Sequence, residues 1–377
     1  MKIFIVTGRT GGHFFPAVTF SKVFKQQYPD SEIHYIYSEK TLPNISSEEN
    51  SVFNEGEIHS FPYFPWKGFK GLYVFRFMFS LVKAFLISLK LLKTQKADLV
   101  VGFGSYLCFP VLLAAFFKGI PTVIHEQNRT MGKANRLISY FVDKIAVSFC
   151  ETKFEFNSTK LIWTGNIIRQ QLMDKLNLQG RSVSEKEGFH ILVLGGSQGS
   201  FGVNKTFVHS LPYLDKGFLG KLKVTHITGE SNFVWVGEQY QQLGLNPELV
   251  SYAENIEDYY QKADLVVCRA GAGTLFELVL YQKPSILIPY PYAGQHQLAN
   301  AQVLAEARNA WIYDETLSKP EDFADILKVR IQNPSELEAV EHRMKNFLKI
   351  DGGEKLVQLA ISLIKSTTPK EEISLQT

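Results

Sequence analysis

Five short loops in this chain have the residue types and spacing needed to hold a phosphorylated ligand and move a proton. Each follows an apolar run: Thr7-Gly-Arg-Thr-Gly-Gly-His13, Gly102-Phe-Gly-Ser-Tyr106, His125-Glu-Gln-Asn128, Gly195-Gly-Ser-Gln-Gly-Ser200 and Cys268-Arg-Ala-Gly-Ala-Gly-Thr-Leu-Phe-Glu277. Glycines let the backbone approach a ligand closely, and free N–H groups at a helix start attract anions. The same loops also serve as strand-to-helix turns that need small residues. His13 and Glu126 are candidate general bases for a hydroxyl proton, and each has a structural reading as a hydrogen-bonded residue. Glu277 falls in the first turns of a helix, where its carboxylate would meet vicinal ribose hydroxyls or simply answer the helix dipole. Arg169 would neutralise a diphosphate leaving group, and Pro289–Asn300 offers amide and imidazole donors for a sugar.

Other ligand classes recede on spacing. Gly8-x-x-Gly11-Gly12 and Gly196-x-x-Gly199 match neither the dinucleotide GxGxxG nor the P-loop pattern. Cys108, Cys150 and Cys268 are odd in number and far apart, so neither a disulfide framework nor a zinc site is expected. With no DxD motif or close His/Asp/Glu cluster in the sequence, the expectation is no metal and no cofactor.

The elements that must position these loops are short apolar strands alternating with amphipathic helices, the signature of parallel βαβ units and an α/β fold. The strands are read at Ile3–Val6, Ile33–Tyr37, Leu99–Phe103, Thr122–His125 and Ile145–Ser148, then at His190–Leu194, Lys223–Thr228, Leu265–Cys268 and Ser285–Ile288. Helical stretches include Asn204–Leu214 and Gln297–Ala307. Leu99–Phe117 lacks charge, but its glycines, Ser105 and Pro110 cut it into strand, loop and helix rather than a membrane span. In open α/β sheets ligands sit outside the carboxyl ends of the strands, where the three loops of the first half, Thr7–His13, Gly102–Tyr106 and His125–Asn128, converge.

At 377 residues the chain suits two domains, and both halves open on a strand running into a glycine loop. We place an acceptor domain at 1–162, a donor domain at 163–345, and a terminal helix with a polar tail at 346–377, the helix packing back on the first domain. Hydrophobic residues at 45% and charged residues at 20% exclude disordered and fibrous classes. A formal charge of +3 gives no reason to expect nucleic acid. The N-terminus runs straight into a strand, leaving no room for a signal peptide, so a cytosolic protein is expected.

One segment stands apart. From Ile58 to Ala97 there is no acidic residue, while Lys67, Lys70, Arg76, Lys83, Lys90, Lys93 and Lys96 are basic. Arg76, Lys83 and Lys90 recur every seven residues on one helical face. Trp66, Phe69, Phe75 and Phe79 lie among them, which suits a helix lying on an anionic membrane surface. The alternative is a core helix with a basic exposed stripe.

Taken together, TGRTGGHFFPA, GFGSYLCFP, HEQNRTMGKANRL, WTGNIIR, LGGSQGS, CRAGAGTLFEL and QHQLANA resemble the MurG family, in family order from residue 7 to 301. The resemblance implies a GT-B fold of two Rossmann-like parallel-sheet domains facing a cleft. It implies metal-independent, inverting transfer of N-acetylglucosamine from UDP-GlcNAc to the C4 hydroxyl of the muramyl sugar of lipid I, a polyprenyl-pyrophosphate-linked acceptor. It also implies peripheral attachment to the cytoplasmic face of the bacterial membrane, with cell-wall or division proteins as possible partners. Matching positions for the donor are Thr10, Gly11, Gly12, Asn128, Arg169, Ser197, Ala253, Ala272, Gly273, Thr274, Leu275, Glu277 and Gln297. His13, Tyr106 and Asn135 match the acceptor side, with His13 and Glu126 as catalytic candidates. The family's membrane-contacting surface falls on Trp66, Lys67, Phe69, Lys70, Phe75, Arg76, Phe79, Lys83 and Lys90. Arg9 and Ser105 depart from the family, which favours glycine at both, and Thr41–Phe64 follows it poorly. Competing readings are transfer to another lipid, a UDP-sugar 2-epimerase on the same architecture, and a non-catalytic binding protein.

Overall fold

The computed structural model describes residues 1–8, 11–38, 56–61, 71–152, 158–179, 188–195, 199–292 and 295–367. Two compact units emerge: residues 1–127, 131–167 and 351–377 in the first, and 128–130 with 168–350 in the second.

The first unit holds a seven-stranded sheet of β1 (Lys2–Val6), β2 (Glu32–Ser38), β3 (Glu57–Phe61), β4 (Leu99–Gly102), β5 (Thr122–Glu126), β6 (Lys144–Val147) and β7 (Leu161–Trp163). Their order is β3-β2-β1-β4-β5-β6-β7, with every pairing parallel. Strands buried on both faces read as unbroken apolar runs, and Ile3, Phe4, Ile5 and Val6 are each fully buried. Their alternation divides the core. Ile3 and Ile5 pack with Phe20 and Phe24 of the helix Gly11–Gln27 and with Leu356 and Val357 of the helix Gly352–Thr367. Phe4 and Val6 face the other way, with Ala84 and Leu92 of the helix Leu72–Gln95 and Val111 and Leu112 of the helix Cys108–Phe117.

The second unit holds β8 (Phe189–Leu194), β9 (Leu222–Ile227), β10 (Glu248–Val250), β11 (Leu265–Cys268), β12 (Ser285–Leu287) and β13 (Ala310–Ile312). They form a six-stranded parallel sheet in the order β10-β9-β8-β11-β12-β13. Ile191, Val193, Phe207, Val267, Ile286 and Phe323 centre its core.

All nine strands read from the sequence are present. The four missed, β3, β7, β10 and β13, are the outermost strands of the two sheets. An edge strand has one bonded neighbour and partial exposure, so its sequence mixes polar with apolar residues. Glu57-Ile-His-Ser-Phe61, with only Phe61 buried, gives no continuous apolar signal. The uncharged run at Leu99–Phe117 is strand, loop and helix as read, and among the described residues no helix is long and apolar enough to cross a membrane.

Candidate active site

In the first unit the loops after β1, β4 and β5 meet around His13. A side chain at Gly8 would come within 2.9 Å of its imidazole, and one at Gly104 within 2.6 Å. The two glycines, from two separate loops, therefore make the slot that the ring fills. Gly104 also has φ +102, a conformation that glycine adopts without penalty. The next residue, Ser105, holds φ +79 with a side chain, at the position where the family favours glycine. Such strain costs on the order of 1–3 kcal/mol and is tolerated where the surroundings hold it. Ser105 Oγ accepts a hydrogen bond from Leu107 N at 3.3 Å.

Burial holds the His13 imidazole below its ordinary pKa, and the nearby Glu126 carboxylate pulls it back up. The ring is thus held as a neutral base beside a charge that would stabilise it once protonated. Glu126 ends β5 and is 1% exposed. Its Oε2 accepts from Gly132 N at 2.9 Å and from Asn135 Nδ2 at 2.8 Å. Asn135, matched by resemblance to the acceptor side, is itself buried and fastens this carboxylate. His125 is buried, with Nε2 3.4 Å from Gly165 O, and its pKa falls to about 4. Tyr106 meets Phe77 of the helix Leu72–Gln95 edge-on, ring centroids 5.6 Å apart.

That helix is not a core helix with a polar back. Phe77, Ala84, Ser88 and Leu92 are buried, whereas Phe75, Met78, Phe79, Val82 and Leu86 are exposed, Phe75 by 75% and Phe79 by 71%. Arg76, Lys83 and Lys90 are exposed among them. The apolar surface continues to Phe117, 65% exposed, whose ring lies 6.0 Å from Phe85. Trp66, Lys67, Phe69 and Lys70 lie outside the described residues, as do Thr10, Arg9 and Ser197.

In the second unit the helix Ala272–Tyr281 begins after Gly271 with no side-chain cap and no acid in its first turn. A Cβ at Gly273 would meet nothing within 4 Å, so the start of this helix faces open space. Gly271, Gly273 and the amides of Ala272 and Thr274 form the anion-attracting end expected of the loop, while Leu275 N already bonds Gly271 O at 3.1 Å. Glu277, one turn further, is not a lone carboxylate. Arg169 Nη2 donates to its Oε1 at 3.0 Å and Tyr260 Oη to its Oε2 at 2.9 Å. Two residues assigned separate roles in the sequence are thus an ion pair. Burial together with this carboxylate raises the Tyr260 phenol well above its ordinary pKa.

Asn128 Oδ1 accepts from Asn300 Nδ2 at 3.0 Å, and Gln297 Oε1 accepts from Tyr290 N at 2.9 Å. Ala253 lies half-buried in the loop after β10. One positioning residue was missed: Arg269, whose Nε donates to Ser200 Oγ at 2.8 Å while its Nη1 reaches Glu315 at 2.7 Å. It ties the loop after β8 to the loop after β11. A lone arginine in a run of small residues, Cys268-Arg-Ala-Gly-Ala-Gly273, was the available signal, but its partner Glu315 lies 46 residues on.

Comparison with known proteins adds to this geometry. Residues 3–147 match the glycosyltransferase family 28 N-terminal domain, and residues 190–354 match the glycosyltransferase family 28 C-terminal domain. The chain is 32% identical to the UDP-N-acetylglucosamine--N-acetylmuramyl-(pentapeptide) pyrophosphoryl-undecaprenol N-acetylglucosamine transferase of Geobacter sulfurreducens, over 99% of this chain and 100% of that one. The crystal structure of Acinetobacter baumannii MurG superposes with a TM-score of 0.76 at 25% identity, covering 96% of this chain and 99% of that one. The UDP-GlcNAc 2-epimerase of Neisseria meningitidis, at 16% identity and a TM-score of 0.65 over 96% of this chain and 100% of that one, shares the fold.

Proposed function

The chain belongs to the MurG family of glycosyltransferases, and from that premise we propose that it transfers N-acetylglucosamine from UDP-GlcNAc to the C4 hydroxyl of the muramyl sugar of lipid I, giving lipid II. The full-length identity to the Geobacter transferase carries this reading, and the loop geometry supplies a chemistry for it. The acceptor oxygen attacks the anomeric carbon, the bond to UDP breaks with inversion, and the hydroxyl proton goes to a base. His13 is that base, half-buried and neutral, and Glu126 stabilises the imidazolium as it forms. Asn135 and Gly132 keep the carboxylate in place. Diphosphate charge is met by the amides at Ala272–Thr274, beside Leu275, by Gly11 and Gly12, and by Arg169. Thr10 and Ser197, outside the described residues, complete the glycine loops. Glu277 takes the ribose hydroxyls, Ala253 the uracil through its main chain, and Asn128 and Gln297 the remaining polar groups of the donor.

The exposed aromatic and basic face of Leu72–Gln95 rests on an anionic membrane, close to Tyr106 on the acceptor side. The chain acts there as a peripheral protein on the cytoplasmic face, among cell-wall and division proteins.

Mass spectrometry of the product formed from UDP-GlcNAc and lipid I tests the reaction. One added N-acetylhexosamine on the muramyl sugar is expected. Epimerised sugar nucleotide, transfer only to some other lipid, or no reaction would each overturn it.

A further inference from the structure

On the outer edge of the first sheet, two imidazoles and a carboxylate converge. His34 of β2 is paired in register with Glu57 of β3, and His59 stands two residues along from Glu57 on the same face. His34 Nδ1 lies 3.1 Å from His59 Nε2 and 3.2 Å from Glu57 Oε2, and His59 Nε2 lies 3.6 Å from Glu57 Oε1. Four-coordinate zinc, with metal–nitrogen bonds of about 2.0–2.1 Å, sets neighbouring donor atoms roughly 3.3 Å apart. The three observed separations bracket that value.

The hydrogen-bonding arithmetic points the same way. Glu32 Oε2 lies 3.8 Å from His34 Nε2, so the His34 ring has a carboxylate on each side. A neutral ring carries one proton. On Nδ1, it leaves the buried Nε2 lone pair directed at Glu32, and His34 Nε2 has no hydrogen-bond partner among the described residues. On Nε2, it leaves the Nδ1 lone pair facing both the Glu57 carboxylate and His59 Nε2, whose own proton can occupy it at 3.1 Å. A cation can take that proton's place between His34 Nδ1, His59 Nε2 and Glu57, and the His34 Nε2–H then points at Glu32 in the carboxylate–histidine–metal arrangement.

Lys2, 2.8 Å from Glu32, and the amino terminus are the cations that act on Glu32, and Lys2 opposes a second charge on His34. Phe4 stacks on His34 at 4.4 Å and 7°, fixing the ring plane. His34 is 1% exposed and Glu57 54%, so an ion enters past the carboxylate. From these juxtapositions we propose that His34, Glu57 and His59 form a divalent transition-metal site of the zinc class, with water as fourth ligand, that clamps the edge strand β3 to β2. The spacing in sequence, 23 and 25 residues from His34, hid it, and it plays no part in the transfer chemistry.

Metal-stripped full-length protein titrated with zinc alone should bind one ion that the Glu57→Gln, His59→Ala double variant does not. Cobalt alone should give a visible tetrahedral spectrum in the parent and none in that variant. Because His34 is buried, the decisive changes are confined to the edge strand, with UDP binding as the folding control. Glu32→Gln should weaken zinc about 10–100-fold through the second nitrogen of His34. Equal zinc stoichiometry in parent and double variant, or a parent that binds no zinc and gives no cobalt spectrum, would overturn the site.

Discussion

Replacing Glu277 separates its two roles, because the structure gives it work to do without a ligand. Its carboxylate is 14% exposed and its partner Arg169 17%. Glu277→Ala therefore removes the carboxylate that pairs with a largely buried guanidinium, worth about 3 kcal/mol at the lower end of the cost of breaking a buried pair. The Tyr260 hydroxyl is orphaned as well, adding roughly 1 kcal/mol. A loss of about 4 kcal/mol corresponds to a fall in Tm of about 8–16 °C for a domain of this size. Glu277→Gln keeps an acceptor for one partner and should lose about half as much. If the carboxylate also binds ribose hydroxyls, either variant should weaken UDP by at least about 1.5 kcal/mol, about tenfold in Kd. Calorimetry with UDP on Glu277→Gln, at a temperature where it is folded, reads the binding role; thermal unfolding of Glu277→Ala reads the structural one. Parent-like UDP affinity in the Gln variant removes Glu277 from the donor site. An unchanged Tm in the Ala variant refutes the ion-pair reasoning.

Two further outcomes follow from surface and burial. Arg76, Lys83 and Lys90 changed together to Glu should remove about 3 kcal/mol or more of attraction to anionic vesicles, at roughly 1 kcal/mol per base, while leaving UDP binding intact. Vesicle flotation checks this, and equal recovery of parent and variant would defeat the electrostatic argument. His125 and His226 are buried neutral, with pKa values of about 4 and about 3 against an unfolded value near 6.5. Below that value the unfolded chain takes up protons that the native fold refuses. The stability they carry is complete above pH 6.5 and lost as pH falls, by about 1.4 kcal/mol per histidine at pH 5.5. Urea unfolding at pH 7.5 and 5.5 should show the loss, with His226→Gln removing about 1.4 kcal/mol of it; a flat profile would contradict the assignment.

Much of this was legible in the residues. Strands buried on both faces, such as β1 and β11, are nearly pure apolar runs and cannot be mistaken, and the glycine loops follow them directly. Exposure of the helix at 72–95 follows from seven-residue spacing of Arg76, Lys83 and Lys90, but only coordinates show Phe75 and Phe79 standing out from the surface. Contacts between strands and between distant loops left no trace. Nothing in the order of residues says that Arg169 meets Glu277, 108 positions on, or that His34 meets His59 across a strand pair. Such pairings depend on register and on which strand becomes an edge, and these are properties of the assembled sheet.

The helix Gly352–Thr367 packs on the helix Gly11–Gln27, near the other end of the chain, with Leu356, Val357 and Ala360 joined to Phe20 and Val23 in one core. The first unit is thus closed by residues made after the whole of the second. A ribosome-bound chain that stops short of Gly352 would carry its first sheet with one apolar face covered only in part, by the helix Gly11–Gln27. Burying a Leu or Val side chain is worth about 1.5–3 kcal/mol, so this face is both a late gain in stability and an early hazard. The order of synthesis makes this unit the last to become fully native, although its first strand is the first made.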